Sequence, residues 1–163
     1  MARQIGSATW QGGLMNGAGE LTVGDGVWTG GYSTGARFHG VLPGVPDGTG
    51  TSPEQLLAAA HAACFTMALS LALTEAGAEP RRLQTRATVH LRFLDGAPTI
   101  QQIDLETEGD VPGVDELGFR ERAEAAKRTC IISRALGGVD QIGLVTRLAD
   151  AGARDSTMVG ADA

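Results

Sequence analysis

The pattern of polar and apolar positions in the first thirty residues predicts strands. Ile5 to Gln11 is rich in β-formers, Glu20 to Val23 alternates, and Gly24-Asp25-Gly26 is a hairpin signal ahead of Val27-Trp28-Thr29. Three short strands are predicted, with Gly30-Gly31-Tyr32 either extending the third or opening a loop, and Arg37-Phe38 just beyond. From Gly40 to Gly50 the glycines and prolines predict a loop.

The pattern then changes. From Pro53 to Glu75 the residues are mostly Ala, Leu, Met and Phe with few charges, which predicts a long helix. Thr51 or Ser52 suits the N-cap, and Pro53 suits the first helical position. Ser52 with Gln55, or Thr51 with Glu54, has capping-box spacing. Gly77 and Pro80 mark the end. A helix apolar nearly all round needs cover on most sides. One small domain supplies that with difficulty, and a partner subunit is one way to complete it.

Arg82 to Leu94 and Thr99 to Glu108 predict a strand pair about Asp95-Gly96. Asp115 suits the N-cap of a helix from Glu116 to Thr129. Within it Phe119, Ala123, Ala126 and Cys130 fall at i, i+4, i+7 and i+11, an apolar stripe. Ser133 to Leu136 predicts one further turn, and Gln141 to Leu148 a last strand. Strands and helices are grouped, which favours an α+β fold. A chain of 163 residues fits one domain, taken as 1–148, followed by a small, polar, flexible tail at 149–163.

Net charge of −6 argues against a surface built for nucleic-acid phosphates. Continuous apolar runs fall short of the roughly 18–20 residues that span a bilayer, and the first residues lack the apolar centre of a signal peptide. A cytoplasmic protein without a membrane partner is therefore expected. There a structural disulfide is not expected, so two cysteines are either inert or catalytic.

The cysteines differ. Cys64 lies in an almost uncharged helical run and reads as buried, while Cys130 stands beside Lys127, Arg128 and Arg134 and reads as bathed in positive charge. Both also fit plain core packing, Cys64 between Ala60, Met67 and Ala68, and Cys130 at the end of its stripe. The basic residues equally fit a solvated face. If the thiols meet, the chain can cycle between dithiol and disulfide. A thiol attacks as thiolate, yet Cys64 is about ten residues, roughly 15 Å, from its helix N-terminus, beyond reach of the dipole. Burial would raise its pKa, and only His61 lies near it in sequence, so a cation must come from elsewhere. His39, His61 and His90 lack ligand spacing, so no metal site is expected. Phosphate-loop and G-x-S-x-G motifs are missing, so neither nucleotide binding nor hydrolase chemistry has support, and no cofactor is expected. The lack of a C-x-x-C pair argues against a disulfide reductase.

Thr51-Ser52-Pro53-Glu54-Gln55-Leu56-Leu57 and Ala59-Ala60-His61-Ala62-Ala63-Cys64-Phe65-Thr66-Met67-Ala68-Leu69-Ser70 closely resemble a motif of the OsmC/Ohr family of thiol peroxidases. Ala125-Ala126-Lys127-Arg128-Thr129-Cys130-Ile131-Ile132-Ser133-Arg134-Ala135-Leu136 resembles the family's second cysteine motif, and Val111-Pro112-Gly113-Val114-Asp115 fits its place. The resemblance runs from about Ser7 to Leu148. It implies antiparallel sheets wrapped around a long central apolar helix in an intertwined homodimer.

By the same resemblance Cys64 matches the peroxidatic cysteine and Cys130 the resolving one. Arg37 matches the arginine of the OsmC branch, and Glu54 the glutamate paired with it. In the Ohr branch the arginine sits in the first hairpin, and here Gln11 to Glu20 holds none. The implied chemistry is reduction of organic hydroperoxides. Cys64 becomes a sulfenic acid and then a disulfide with Cys130, while a bidentate Glu54 contact orients Arg37. A dithiol, by resemblance a lipoyl group on a protein, resets the pair. Because Glu54 and Cys64 lie roughly 15 Å apart on one helix, Arg37 and Glu54 are expected to serve Cys64 from the other subunit. Phe38, Phe65 and Met67 are candidates to line an apolar pocket and equally fit dimer core. The family commonly has proline after the second cysteine, where this chain has Ile131. A rival reading is a dimeric binding module for apolar ligands whose cysteines only pack.

Overall fold

A computed structural model describes residues 2–38, 45 and 47–149. The chain divides into two compact units, Met1–Leu57 and Ala58–Ala163. His39 and, apart from Ala149, the expected tail at 149–163 lie outside the described residues.

The first unit holds an antiparallel meander of β1 (Gly6–Gln11), β2 (Ala18–Val23) and β3 (Trp28–Ser33). Val23 pairs with Trp28 across the Gly24-Asp25-Gly26 turn, where both glycines take positive φ. Gly30, Gly31 and Tyr32 extend the third strand rather than opening a loop. A short helix, α1 (Thr34–Phe38), follows where the sequence pattern predicts no element. Five residues are too few to display a helical period. Its start is fixed by side chains: Ser33 Oγ accepts from the Ala36 N–H at 3.1 Å, and Thr34 Oγ1 donates to the Leu14 carbonyl.

The long helix α2 spans Pro53–Glu75. Of the two possible capping boxes, the chain uses Ser52 with Gln55. The Gln55 N–H donates to Ser52 Oγ at 3.2 Å, and the Ser52 N–H donates to Gln55 Oε1 at 3.1 Å. At the other end Gly77 has φ +78°, the Ala78 N–H reaches the Leu73 carbonyl, and the Gly77 N–H reaches that of Thr74. These two bonds form a Schellman stop. One expectation changes here: α2 is long and apolar enough, by length and composition, to cross a membrane. His61, Thr66 and Ser70 interrupt a continuous apolar run but leave the average hydropathy of the helix high. One line of α2, His61, Phe65, Leu69 and Leu73, is buried at four-residue intervals, as in a core helix. Met67 and Leu71 on another line are 74% and 59% exposed.

In the second unit β4 (Arg82–Leu94) and β5 (Ala97–Asp110) form a long antiparallel pair. They turn at Asp95 and Gly96, both at positive φ, as a two-residue hairpin requires. The sheet is mixed rather than antiparallel throughout, because β6 (Gln141–Leu148) runs parallel to β5. The connection between them passes through α3 (Glu116–Thr129) and α4 (Ile131–Ala135), and such a crossover brings the chain back in the same direction. Asp115 caps α3 by accepting from the Gly118 N–H at 2.8 Å, as its position predicts.

The core of this unit joins the buried line of α2 below His61, Leu105 of β5, and the α3 stripe Phe119, Ala123, Ala126 and Cys130. Gly109 is required in β5, since a Cβ there would stand 2.6 Å from the Phe119 ring.

Replacing the buried Ser52 with alanine removes half of the α2 capping box. The Ser52→Ala chain is expected to lose about 0.5–2 kcal/mol of stability, measured as a lower urea midpoint at unchanged slope.

Candidate active site

Cys64 and Cys130 belong to one core, with Cys130 inside the cluster and Cys64 packed against it. Both are free. Their environments reverse the simple sequence contrast. Cys130 is buried, at 1% exposure, whereas Cys64 is only partly covered. The stripe position of Cys130 outweighs its basic neighbours, which turn outward: Arg128 and Arg134 are exposed. Lys127 is engaged by Glu124 and the Ile142 carbonyl, both at 3.3 Å. Met67 does not pack beside Cys64 but faces out, and Phe65 is wholly in the core.

Cys130 ends α3 and caps α4. Its sulfur accepts from the Ser133 N–H at 3.5 Å. Burial is the largest influence on this thiol and pushes its pKa up. Hydrogen bonds from the Ser133 backbone and hydroxyl, the Cys64 thiol and the Ile132 backbone together outweigh it, and the pKa falls below the ordinary cysteine value. No cationic side chain among the described residues takes part in that shift.

Ser133 in turn meets His61, whose Nε2 lies 2.8 Å from Ser133 Oγ. Both are buried, and burial holds the His61 pKa below its usual value, so the ring is neutral. In the sequence Ser133 marks only the start of a predicted turn, because a serine three residues after a cysteine carries no chemical signal of its own. The available signal was a histidine within an apolar helix. His90 is occupied elsewhere, with its Nε2 2.7 Å from Asp104. Among the described residues no group of His, Cys, Asp and Glu converges to hold a metal ion.

Arg37 of α1 and Glu54 of α2 meet within the first unit. Arg37 Nε and Nη2 donate to Glu54 Oε1 at 2.9 and 2.7 Å. The contact is not the bidentate fork expected from the resemblance: both donors converge on one oxygen, and Oε2 is buried with no partner among the described residues. The guanidinium carbon also lies 4.8 Å from the centre of the Phe38 ring. Beside the pair is a cleft of about 440 Å³ whose lining includes Trp10, Leu14, Tyr32, Arg37 and Phe38.

The model of the family described as OsmC-like protein matches residues 46–143. The chain is also 40% identical over 132 residues to Peroxiredoxin OsmC of Escherichia coli, an alignment covering 80% of this chain and 87% of that one. This chain belongs to the OsmC-like family. The crystal structure of the organic hydroperoxide resistance protein OhrB of Bacillus subtilis is similar at TM-score 0.61 and 27% identity, covering 89% of this chain and 98% of that one. An organic hydroperoxide resistance protein from Elizabethkingia anophelis shares the fold at TM-score 0.65 and 23% identity, over 91% of this chain and 96% of that one.

Within this OsmC-like chain, Ile131 is well placed for the proline that the family resemblance leads one to expect. It is the first residue of α4 and 72% exposed, and Cys130 before it has ψ 123°, the extended backbone that precedes proline. Ile131→Pro is therefore expected to stabilise the chain by about 0.4–1 kcal/mol through the unfolded state and to leave thiol oxidation by peroxide unchanged. Thermal unfolding and a thiol assay check the two halves.

Proposed function

We propose that this OsmC-like protein is a thiol peroxidase that reduces organic hydroperoxides in oxidative-stress defence. The observation that carries the reading is the pairing of an accessible thiol with a buried one inside a single core. A peroxide can reach Cys64, and the sulfenic acid formed there has Cys130 within reach. Kinship with Peroxiredoxin OsmC supports the same chemistry and does not favour the binding-module reading.

In the proposed cycle the Cys64 thiolate attacks the terminal oxygen of the hydroperoxide. The O–O bond breaks, an alcohol leaves after taking up a proton, and Cys64 becomes a sulfenic acid. Cys130 sulfur then displaces the sulfenyl oxygen, forming the disulfide and releasing water. Two thiols and one hydroperoxide thus yield one disulfide, one alcohol and one water. A dithiol, by family resemblance a lipoyl group on a protein partner, restores both thiols by exchange. We place this cycle in the reducing cytoplasm, where a catalytic cysteine pair is expected and a structural disulfide is not.

Arg37 and Glu54 complete the proposal from a second copy of the chain. Glu54 stands ten residues before Cys64 on α2, roughly 15 Å along the axis, so its Arg37 partner serves a Cys64 on another subunit. There the guanidinium favours the thiolate and the developing alkoxide. The apolar outward line of α2 at Met67 and Leu71 gives the second copy a surface to cover in a homodimer. The cleft lined by Trp10, Leu14, Tyr32 and Phe38 suits an alkyl or aryl peroxide chain better than hydrogen peroxide.

Anaerobic addition of cumene hydroperoxide to the reduced protein is expected to consume both thiols, with Cys64→Ser consuming no peroxide. Survival of both thiols in excess peroxide contradicts the proposal. Heterodimers of Arg37→Ala and Cys64→Ser chains are expected to regain one working site in two, and no recovery removes the shared site.

A further inference from the structure

Three buried polar side chains form a line through the second unit that the cycle above does not use in full. His61 Nε2 lies 2.8 Å from Ser133 Oγ, and the Ser133 backbone N–H donates to the Cys130 sulfur at 3.5 Å. All three residues are buried. The direction of the contact follows from His61 Nδ1, which is buried with no partner among the described residues. A proton on Nδ1 would bury an unpaired N–H, the costlier defect, so the ring proton sits on Nε2 and is donated to Ser133 Oγ. Nδ1 is then a bare lone pair, and the Ser133 hydroxyl proton is left to turn toward the Cys130 sulfur.

We propose that His61 and Ser133 are positioning residues for the disulfide-forming step. His61 Nε2–H holds Ser133 Oγ, and Ser133 presents its hydroxyl and N–H to the Cys130 sulfur. The inference rests on the reading of Cys130 as the resolving thiol. In the step, the Cys130–Cys64 S–S bond forms and the Cys64 S–O bond breaks. The Cys130 thiol proton departs with the sulfenyl oxygen as water, so neither His61 nor Ser133 gains or loses a proton overall. Their role is to hold sulfur lone-pair density in place and favour the thiolate form of Cys130 in an otherwise apolar core.

Among the described residues no charge competes for this role. From α2 the titratable groups beside Cys130 are His61 and Cys64. From α3, Lys127 is committed to Glu124 and the Ile142 carbonyl, and Arg128 is exposed. From α4, Arg134 is exposed. Hydrogen-bond donors, rather than cations, carry the effect.

The test has two independent arms. In a Cys64→Ser background, ultraviolet thiolate absorbance follows the titration of Cys130 alone and needs no peroxide chemistry. Ser133→Ala is expected to move the midpoint up by about one pH unit, the loss of one donor to a charged acceptor. His61→Leu is expected to move it in the same direction, and His61→Gln, which restores a donor near Nε2, to bring it back.

In chains retaining Cys64, single-turnover oxidation separates sulfenic acid formation from disulfide formation. Ser133→Ala is expected to leave the first step unchanged and slow the second about tenfold at neutral pH. Since fewer donors raise the thiol pKa, the rate profile of the second step shifts to higher pH and recovers there. If single variants fail to fold, the His61→Leu, Ser133→Ala double variant leaves no side-chain donor stranded and carries the same predictions.

An unchanged Cys130 titration together with an unchanged second step overturns the inference while the peroxidase reading stands. Absence of sulfenic acid in the wild type overturns the peroxidase reading, and the titration arm still decides whether His61 and Ser133 act on Cys130.

Discussion

The arrangement depends on one packing constraint: two helices must bury their lines in the same core. Phe65, Leu69 and Leu73 of α2 and Phe119, Ala123 and Ala126 of α3 enter one cluster, and that cluster brings Cys64 and Cys130 together. Burial of six such side chains against β5 is worth far more than any one polar contact in the molecule. The thiol pair is thus held by hydrophobic packing, with hydrogen bonds adjusting its chemistry rather than its location. Gly109 belongs to the same constraint, since a side chain there would displace the Phe119 ring that anchors α3.

Burying Cys130 has a chemical consequence. An apolar site opposes a thiolate, so the thiol can ionise only if the core supplies donors. The start of α4 supplies the Ser133 N–H, 3.5 Å from the sulfur, and Ser133 Oγ lies 2.8 Å from His61 Nε2 of α2. Cys64 lacks an equivalent cradle on its own helix, and the proposed source of its activation is the cationic Arg37, already tied to Glu54. In the proposed cycle the two sulfurs have different physical means of reaching the same charged state, which suits an attacker open to substrate and a resolver sealed from it.

Much of the fold was legible in the sequence, and particular residues show why. Asp115 and the spacing of Phe119, Ala123, Ala126 and Cys130 mark α3 and its buried face without ambiguity. Ser52, Gln55 and Gly77 likewise bound α2. The direction of β6 was less legible, because strand direction depends on where α3 and α4 deliver the chain rather than on the strand's own residues. Helix α1 is too short to leave a period. The Arg37–Glu54 pairing came from family resemblance, since the sixteen intervening positions carry no signal of their own. The environments of the cysteines could not be read from neighbours in sequence. Lys127, Arg128 and Arg134 lie beside Cys130 in the chain, but the fold engages or exposes them while bringing His61 onto the neighbouring Ser133 from 72 residues away.

The central claim is that Cys64 and Cys130 of the same chain form one redox unit. Light and isotopically heavy chains can be mixed unfolded, refolded together, oxidised with an organic hydroperoxide and digested without reduction. Mass spectrometry then reads the disulfide-linked peptides. The account predicts Cys64–Cys130 links that are wholly light or wholly heavy. Mixed light–heavy links at the statistical level, or an oxidised protein with no Cys64–Cys130 peptide, would contradict it.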